Sequence, residues 1–200
     1  MRVLAGVLAV SLAGLAGCSS AEPSAPSTSA PSSAAPASSV APQPGGDSLA
    51  AAYHSPDGYG ISPPAGWVLH PTDGQGGLSV VFAAPAIDKA AAKPFADNLN
   101  VVVTPTPATL DALVAETKQK YPSVLTNYKV VTDQPAVVNG HPAHLLGGTY
   151  DDERSGPLQN IQLILVEAGK EYTITFTSPA PSFDSFHAVV QASLSSFTLG

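Results

Sequence analysis

The residue with the most specific chemistry in this chain is Cys18. It closes the run Leu15-Ala16-Gly17-Cys18, a pattern that looks like a lipobox, on which lipid is transferred to the cysteine sulfur before the chain is cut just upstream. It is also the only cysteine, so disulfides and thiolate metal sites are excluded elsewhere. Acylation would remove an otherwise reactive, unpaired thiol. Other groupings could in principle do chemistry. His141-Pro142-Ala143-His144 has a metal-like spacing, but a three-residue step on a strand puts the two rings on opposite faces. Asp151, Asp152 and Glu153 could hold calcium if backbone carbonyls joined them, although they lack the alternating ligand spacing of a dedicated loop. Serines and five histidines are present, yet there is no Gly-x-Ser-x-Gly elbow and no glycine-rich phosphate loop between a strand and a helix. No catalytic set, metal or cofactor is implied. Tyr59 and Trp67, set among Pro and Gly, are the aromatic pair that could form a binding surface; alternatively Trp67 plugs the core where the chain enters a sheet.

The segments around these residues decide which readings survive. Residues 1–17 have a cationic start at Arg2, an apolar run and small residues before the cut, the three parts of an export signal. The run is too short for a hydrocarbon core about 30 Å thick, so it is expected to be cleaved. Two or three acyl chains on Cys18, at roughly 0.8 kcal/mol per buried methylene, would then hold the protein at the outer face of the cell membrane. Residues 19–46 are nearly all Ser, Ala and Pro and lack side chains large enough to repay the entropy of folding. They read as a tether reaching roughly 30 to 85 Å.

Residues 47–200 have the composition of one folded domain. Fourteen acidic and seven basic residues fall there, carrying the formal charge of −7. That balance excludes nucleic acid as partner, because a phosphate backbone requires a basic face.

Strands are expected over 53–55, 60–62, 67–70, 78–83 and 99–104, bounded by Gly and Pro. Leu110, Leu113, Val114, Thr117 and Tyr121 share one helical face, with Thr109 as N-cap and Pro122 as the stop. Strands 128–138 and 143–150 join through Asn139-Gly140, and 158–166 joins 172–177 through Ala168-Gly169, both as hairpins. In the last arm Tyr172, Ile174 and Phe176 alternate with Thr173, Thr175 and Thr177, the pattern of a strand with one buried and one solvated face. A final helix starts at Ser182 as N-cap, with Asp184 in its first turn and an apolar stripe of Phe183, Phe186, Val190, Leu194 and Phe197. The sum is α+β: a mainly antiparallel sheet of six to seven strands covered by two helices.

The order of elements, with Tyr59-Gly60-Ile61-Ser62-Pro63-Pro64-Ala65-Gly66-Trp67, Asp97-Asn98-Leu99-Asn100-Val101 and the closing helix, resembles the LpqN/LpqT lipoproteins of actinobacteria. The resemblance implies a Mog1p/PsbP-like α/β/α sandwich and a non-catalytic, envelope-attached accessory protein, and it supplies no catalytic residues. Two functions are consistent with the sequence. One is a module that docks onto an envelope protein, expected to show a filled core and an exposed apolar or aromatic patch. The other is a carrier or sensor of a lipid or other apolar ligand, expected to show a dry apolar cavity between sheet and helices.

Overall fold

The computed structural model describes residues 48–200; the export signal, Cys18 and the tether lie outside the described residues. The chain begins with β1 (Tyr53–Ser55), β2 (Tyr59–Ile61), β3 (Val68–His70), β4 (Leu78–Ala83) and β5 (Asn98–Pro105). Helix α1 (Leu110–Val124) leads into β6 (Thr126–Val138), β7 (His141–Asp152), β8 (Gly156–Glu167) and β9 (Lys170–Pro179). A 3-10 turn (Phe183–Phe186), α2 (His187–Ser195) and β10 (Thr198–Leu199) complete it. Seven strands make one antiparallel sheet in the order β3-β4-β5-β9-β8-β7-β6, and β1, β2 and β10 make a small second sheet. The α+β sandwich expected from the sequence is the observed architecture.

The large sheet is covered on both faces. On one lies the main core, where Leu99, Val101, Leu163, Ile174 and Phe176 meet Val189, Val190 and Leu194 of α2, Tyr59 and Ile61 of the small sheet, and Phe197 just before β10. On the other lies α1, whose Val114 and half-buried Leu110 pack on Leu146 and Ile164. Serines fasten α2: Ser193 Oγ donates to the Ser62 carbonyl, and Ser62 N donates to Ser196 Oγ, both at 2.9 Å. The apolar stripe expected on α2 is buried apart from the half-buried Phe186.

Three local expectations are corrected. Pro122 does not stop α1, which runs to Val124 and closes with Leu125 N on the Tyr121 carbonyl at 2.9 Å. A proline in the last turn removes one hydrogen bond, and its ring here is exposed, where the freed carbonyl reaches water. Ser182 does not cap by its side chain; its hydroxyl donates to Asp88 Oδ2, and a 3-10 turn stands between it and α2. The third correction matters most. Thr173, Thr175 and Thr177 are not solvated but 1–2 % exposed, because β9 is a central strand with a layer on each side.

Both hairpin turns form where the sequence places them. Asn139 (φ 47°) and Gly140 (φ 85°), like Ala168 (φ 48°) and Gly169 (φ 74°), adopt the left-handed pair that matches strand twist. Asn139 suits that conformation and also donates to the Phe197 carbonyl at 2.5 Å, tying the turn to the end of α2. Ala168 carries a Cβ into the left-handed region at a cost of about 1 kcal/mol. Ala168→Asn is therefore expected to raise the unfolding free energy by about 0.5–1 kcal/mol, read as a higher denaturant midpoint at unchanged slope.

Candidate functional site

The register of β6 on β7 slips at its start: Thr126 pairs with Asp151, but Lys129 pairs with Thr149. The surplus is absorbed by Asn127, left-handed at φ 56°, whose amide donates to Asp151 Oδ2 at 2.7 Å. This irregularity swings Tyr128 inward over Gly148, where a Cβ would lie 2.6 Å from the phenol ring and 2.5 Å from the Lys129 carbonyl. Glycine is needed at 148 for that close approach. Tyr128 meets Tyr121 of α1 edge to face, centroids 5.3 Å apart. The result is a cleft of about 360 Å³ lined by Asn127, Tyr128, Lys129, Thr149, Tyr150, Asp151 and Pro157.

Beneath the two tyrosines the α1 side of the sheet is polar. Pairing sets Asn98, Thr177 and Asn160 in one row across β5, β9 and β8, and Asn100, Thr175 and Gln162 in the next. All six are at most 2 % exposed. A chain of bonds runs through the second row: Tyr121 Oη donates to Gln162 Oε1 at 2.7 Å, and Gln162 Nε2 donates to Thr175 Oγ1 at 3.1 Å. In the first row Asn160 Oδ1 accepts from Gly148 N at 3.1 Å. Yet Asn98 Oδ1, both Asn100 amide atoms, Asn160 Nδ2 and the Tyr128 hydroxyl are buried without a hydrogen-bond partner. Each such atom costs about 1–3 kcal/mol, so their concentration on one face marks a region not optimised for stability alone. Burial pushes the Tyr128 phenol up to about 12, with the Asp133 charge adding to it. Tyr150 and Tyr121 are raised further, again mainly by burial, so all three stay neutral.

The structure gives each residue singled out in the sequence a definite place. Tyr59 and Trp67 are core residues, 2 % and 8 % exposed. Tyr59 stacks on Phe197 at 5.5 Å and donates to Ser79 Oγ at 2.8 Å, while Trp67 packs against Phe176 and Phe186. Of the two readings open for this pair, contact surface or core, the packing is that of the core, because β2 and the bend before β3 lie over the apolar face of the sheet. His141 and His144 face opposite ways, His141 to Glu167 at 3.3 Å and His144 to Asp133 at 2.8 Å. Asp152 Oδ1 accepts from the backbone of Arg154 and Ser155 and so shapes its own turn, and Asp151 holds Asn127. Among the described residues no three His, Cys, Asp or Glu side chains converge to hold a metal. The tyrosine cleft is not among the sites expected from the sequence; Gly147-Gly148 inside a strand pattern is the signal that points to it.

With this geometry in view, comparison with known proteins is informative. The family model DcrB matches residues 86–196, more than half of the chain. The chain belongs to the DcrB family. The matched span takes in α1, β5 to β9 and the whole of α2, hence the cleft and the polar rows. Among solved structures, the DcrB-family chain is similar to the cyanobacterial PsbP (CyanoP) of Synechocystis sp. PCC 6803, at 18 % identity over 77 % of this chain and 94 % of that one, TM-score 0.57. It is also similar to PA94 of Pseudomonas aeruginosa, a putative regulator of unknown function, at 14 % identity over 74 % and 94 %, TM-score 0.52. LpqN of Mycobacterium tuberculosis matches at 11 % identity over 70 % and 82 %, TM-score 0.52. These likenesses establish the Mog1p/PsbP-like fold. The LpqN/LpqT resemblance is thereby narrowed to one of fold, the sequence match being to DcrB. A search of the curated proteins gave no match.

Gly148→Ala is expected to displace the Tyr128 ring and lower the unfolding free energy by about 1–3 kcal/mol. Denaturant unfolding checks the loss, and altered NMR shifts of the Tyr128 and Tyr121 rings locate it.

Proposed function

We propose that this DcrB-family chain is a non-enzymatic envelope protein, held at the extracytoplasmic face of the membrane by lipid on Cys18, whose domain docks onto another envelope protein. The observation that carries this reading is a band of exposed apolar side chains flanking the tyrosine cleft. Val124 at the end of α1 and Val130 and Val131 on β6 are 51 %, 49 % and 58 % exposed, and Val137 further along β6 is 73 % exposed. Val131 is the extra residue of a bulge between the Val130–Gly148 and Thr132–Gly147 pairs. A cluster of valines at a sheet margin beside a cleft is the kind of surface that binds a protein.

β6 is also an edge strand, but two register shifts and Pro135 interrupt its outer row of donors. The partner on this reading therefore contacts side chains and does not add a strand. The alternative, a carrier of an apolar ligand, needs a dry apolar cavity between the sheet and its helices. The α2 side is instead filled with rings in contact, Phe176 with Phe183 at 5.4 Å and Phe186 at 5.6 Å, and Tyr172 with Phe197 at 5.8 Å, and the α1 side is lined by the buried polar side chains of Asn98, Asn100, Asn160 and Gln162. LpqN, described as involved in cell envelope biogenesis, lends support to an envelope setting. No described helix is long and apolar enough to cross a membrane, so the reading assigns attachment to the lipid.

Two measurements test this. Cys18→Ala is expected to move the protein from the detergent phase to the aqueous phase on phase partition; retention in detergent would remove the anchor from the proposal. A photo-crosslinker at position 131 in living cells is expected to give a discrete adduct, lost on adding Val130→Asp and absent with the crosslinker at position 119 on the exposed side of α1. Equal adducts from both positions would remove the docking surface.

A further inference from the structure

Residues 84–97, between β4 and β5, have no regular structure, and an irregular stretch of that length inside a compact domain usually serves binding. The segment is a strap across the end of the sheet. Its inward side is fixed by Phe95, fully buried against Tyr150 and Leu158, and by Asp88, whose Oδ2 accepts from the Ser182 hydroxyl beyond β9. Its outward side has a composition of its own. Pro85, Ile87, Lys89, Lys93 and Pro94 are exposed together with three of the alanines between them, and none carries a negative charge. The two acidic residues of the strap, Asp88 and Asp97, are turned inward, 3 % and 1 % exposed. In a domain with twice as many acidic as basic residues, the strap thus presents only apolar and cationic groups.

The strand ends place this surface. Val68, where β3 begins, pairs with Ala83, where β4 ends and the strap leaves. Val68 and Leu69 are 47 % and 50 % exposed there, and Ile87 is 44 % exposed on the strap. The first described residues are tied to the bend that enters β3, Ala65 N donating to the Ser48 carbonyl at 2.9 Å and Ala50 N to the Pro63 carbonyl at 2.8 Å. The chain leading back to Cys18 therefore joins the domain on the end of the sheet that carries the strap.

We propose that the strap is a second membrane contact whose partner is the phospholipid surface, with Ile87 seated among the headgroups and Lys89 and Lys93 directed to lipid phosphates. Apolar side chains set among lysines are the composition of elements that lie in a bilayer interface. Lysine suits that depth, because its stem packs on apolar groups while its ammonium stays with the phosphates. Lys93 already donates to the Glu153 carbonyl at 2.9 Å, which leaves two of its three hydrogens for a lipid. Glu153 and Asp184 are exposed on neighbouring turns and stand outside the strap. The contact rests on the lipid anchor proposed above, because tethering supplies the local concentration that so small an apolar patch needs. It orients the domain with the strap toward the membrane and the Asn139-Gly140 turn, at the other end of β6, away from it.

The test uses the full acylated chain in vesicles of phosphatidylcholine and phosphatidylglycerol. With Cys18 acylated, Ala90→Cys or Val137→Cys supplies the only free thiol for an environment-sensitive fluorophore. Flotation with the vesicles reads the anchor, and quenching by lipids that carry a nitroxide near the headgroup reads the contact. The label at 90 is expected to shift to the blue and lose emission, and the label at 137 to do neither. Ile87→Asp combined with Lys89→Glu is expected to abolish both changes at 90. A chain that floats with position 90 unquenched, equal quenching at 90 and 137, or quenching that survives the double variant overturns the contact and leaves the anchor standing. Failure to float removes the anchor, and the contact with it. A photo-crosslinker at 90 that captures a protein and no lipid in living cells overturns the contact by assigning the strap to a protein partner.

Discussion

From Tyr172 to Pro179 strand β9 is buried on both sides, and a strand in that position must dispose of two rows of side chains at once. One row, Tyr172, Ile174 and Phe176, is apolar and packs into the main core under α2. The other, Thr173, Thr175 and Thr177, is polar and equally buried. Everything on the α1 side depends on that second row. Neighbouring strands meet it with Asn98, Asn100, Asn160 and Gln162, the layer above supplies tyrosine hydroxyls, and the strap brings two carboxyl groups to its end. The domain thus has one dry side, which supplies its stability, and one polar side, whose hydrogen bonding is incomplete.

That division places together the features on which the proposed docking role rests. The apolar layer is closed by ring contacts and by serine fastenings on α2, and it holds Tyr59 and Trp67 as structural residues. The polar layer carries the cleft and the exposed valines of β6. The DcrB match spans the elements of this layer, from the strap at residue 86 onward. A surface built over unsatisfied amides and neutral phenols gives up stability for the capacity to rearrange, the kind of trade seen where proteins bind.

Much of the architecture was legible. The face of α1, the cap at Thr109, the stripe of α2 and both hairpin turns were each written in a few adjacent residues, and each formed. The candidate site was not legible in the same way. Tyr121, Tyr128 and Tyr150 come from three elements and converge only because a slipped register and Gly148 let one ring lie flat on the sheet. Which side of the strap faces in is no more legible, since Asp88 and Asp97 stand in a stretch whose prolines and alanines suggest only loop.

By itself the sequence determined the candidate anchor at Cys18, the acidic character of the domain, the fold class and the position of nearly every element, because caps, turns and side-chain periods are settled by near neighbours along the chain. Only the tertiary structure decided which faces would be covered. The threonine row of β9 has the alternation of a solvated face, and Trp67 with Tyr59 reads either as a contact surface or as core. Strand order and layering reversed the first and put the second in the core, since burial depends on what a residue meets from distant parts of the chain, and no local pattern carries that information.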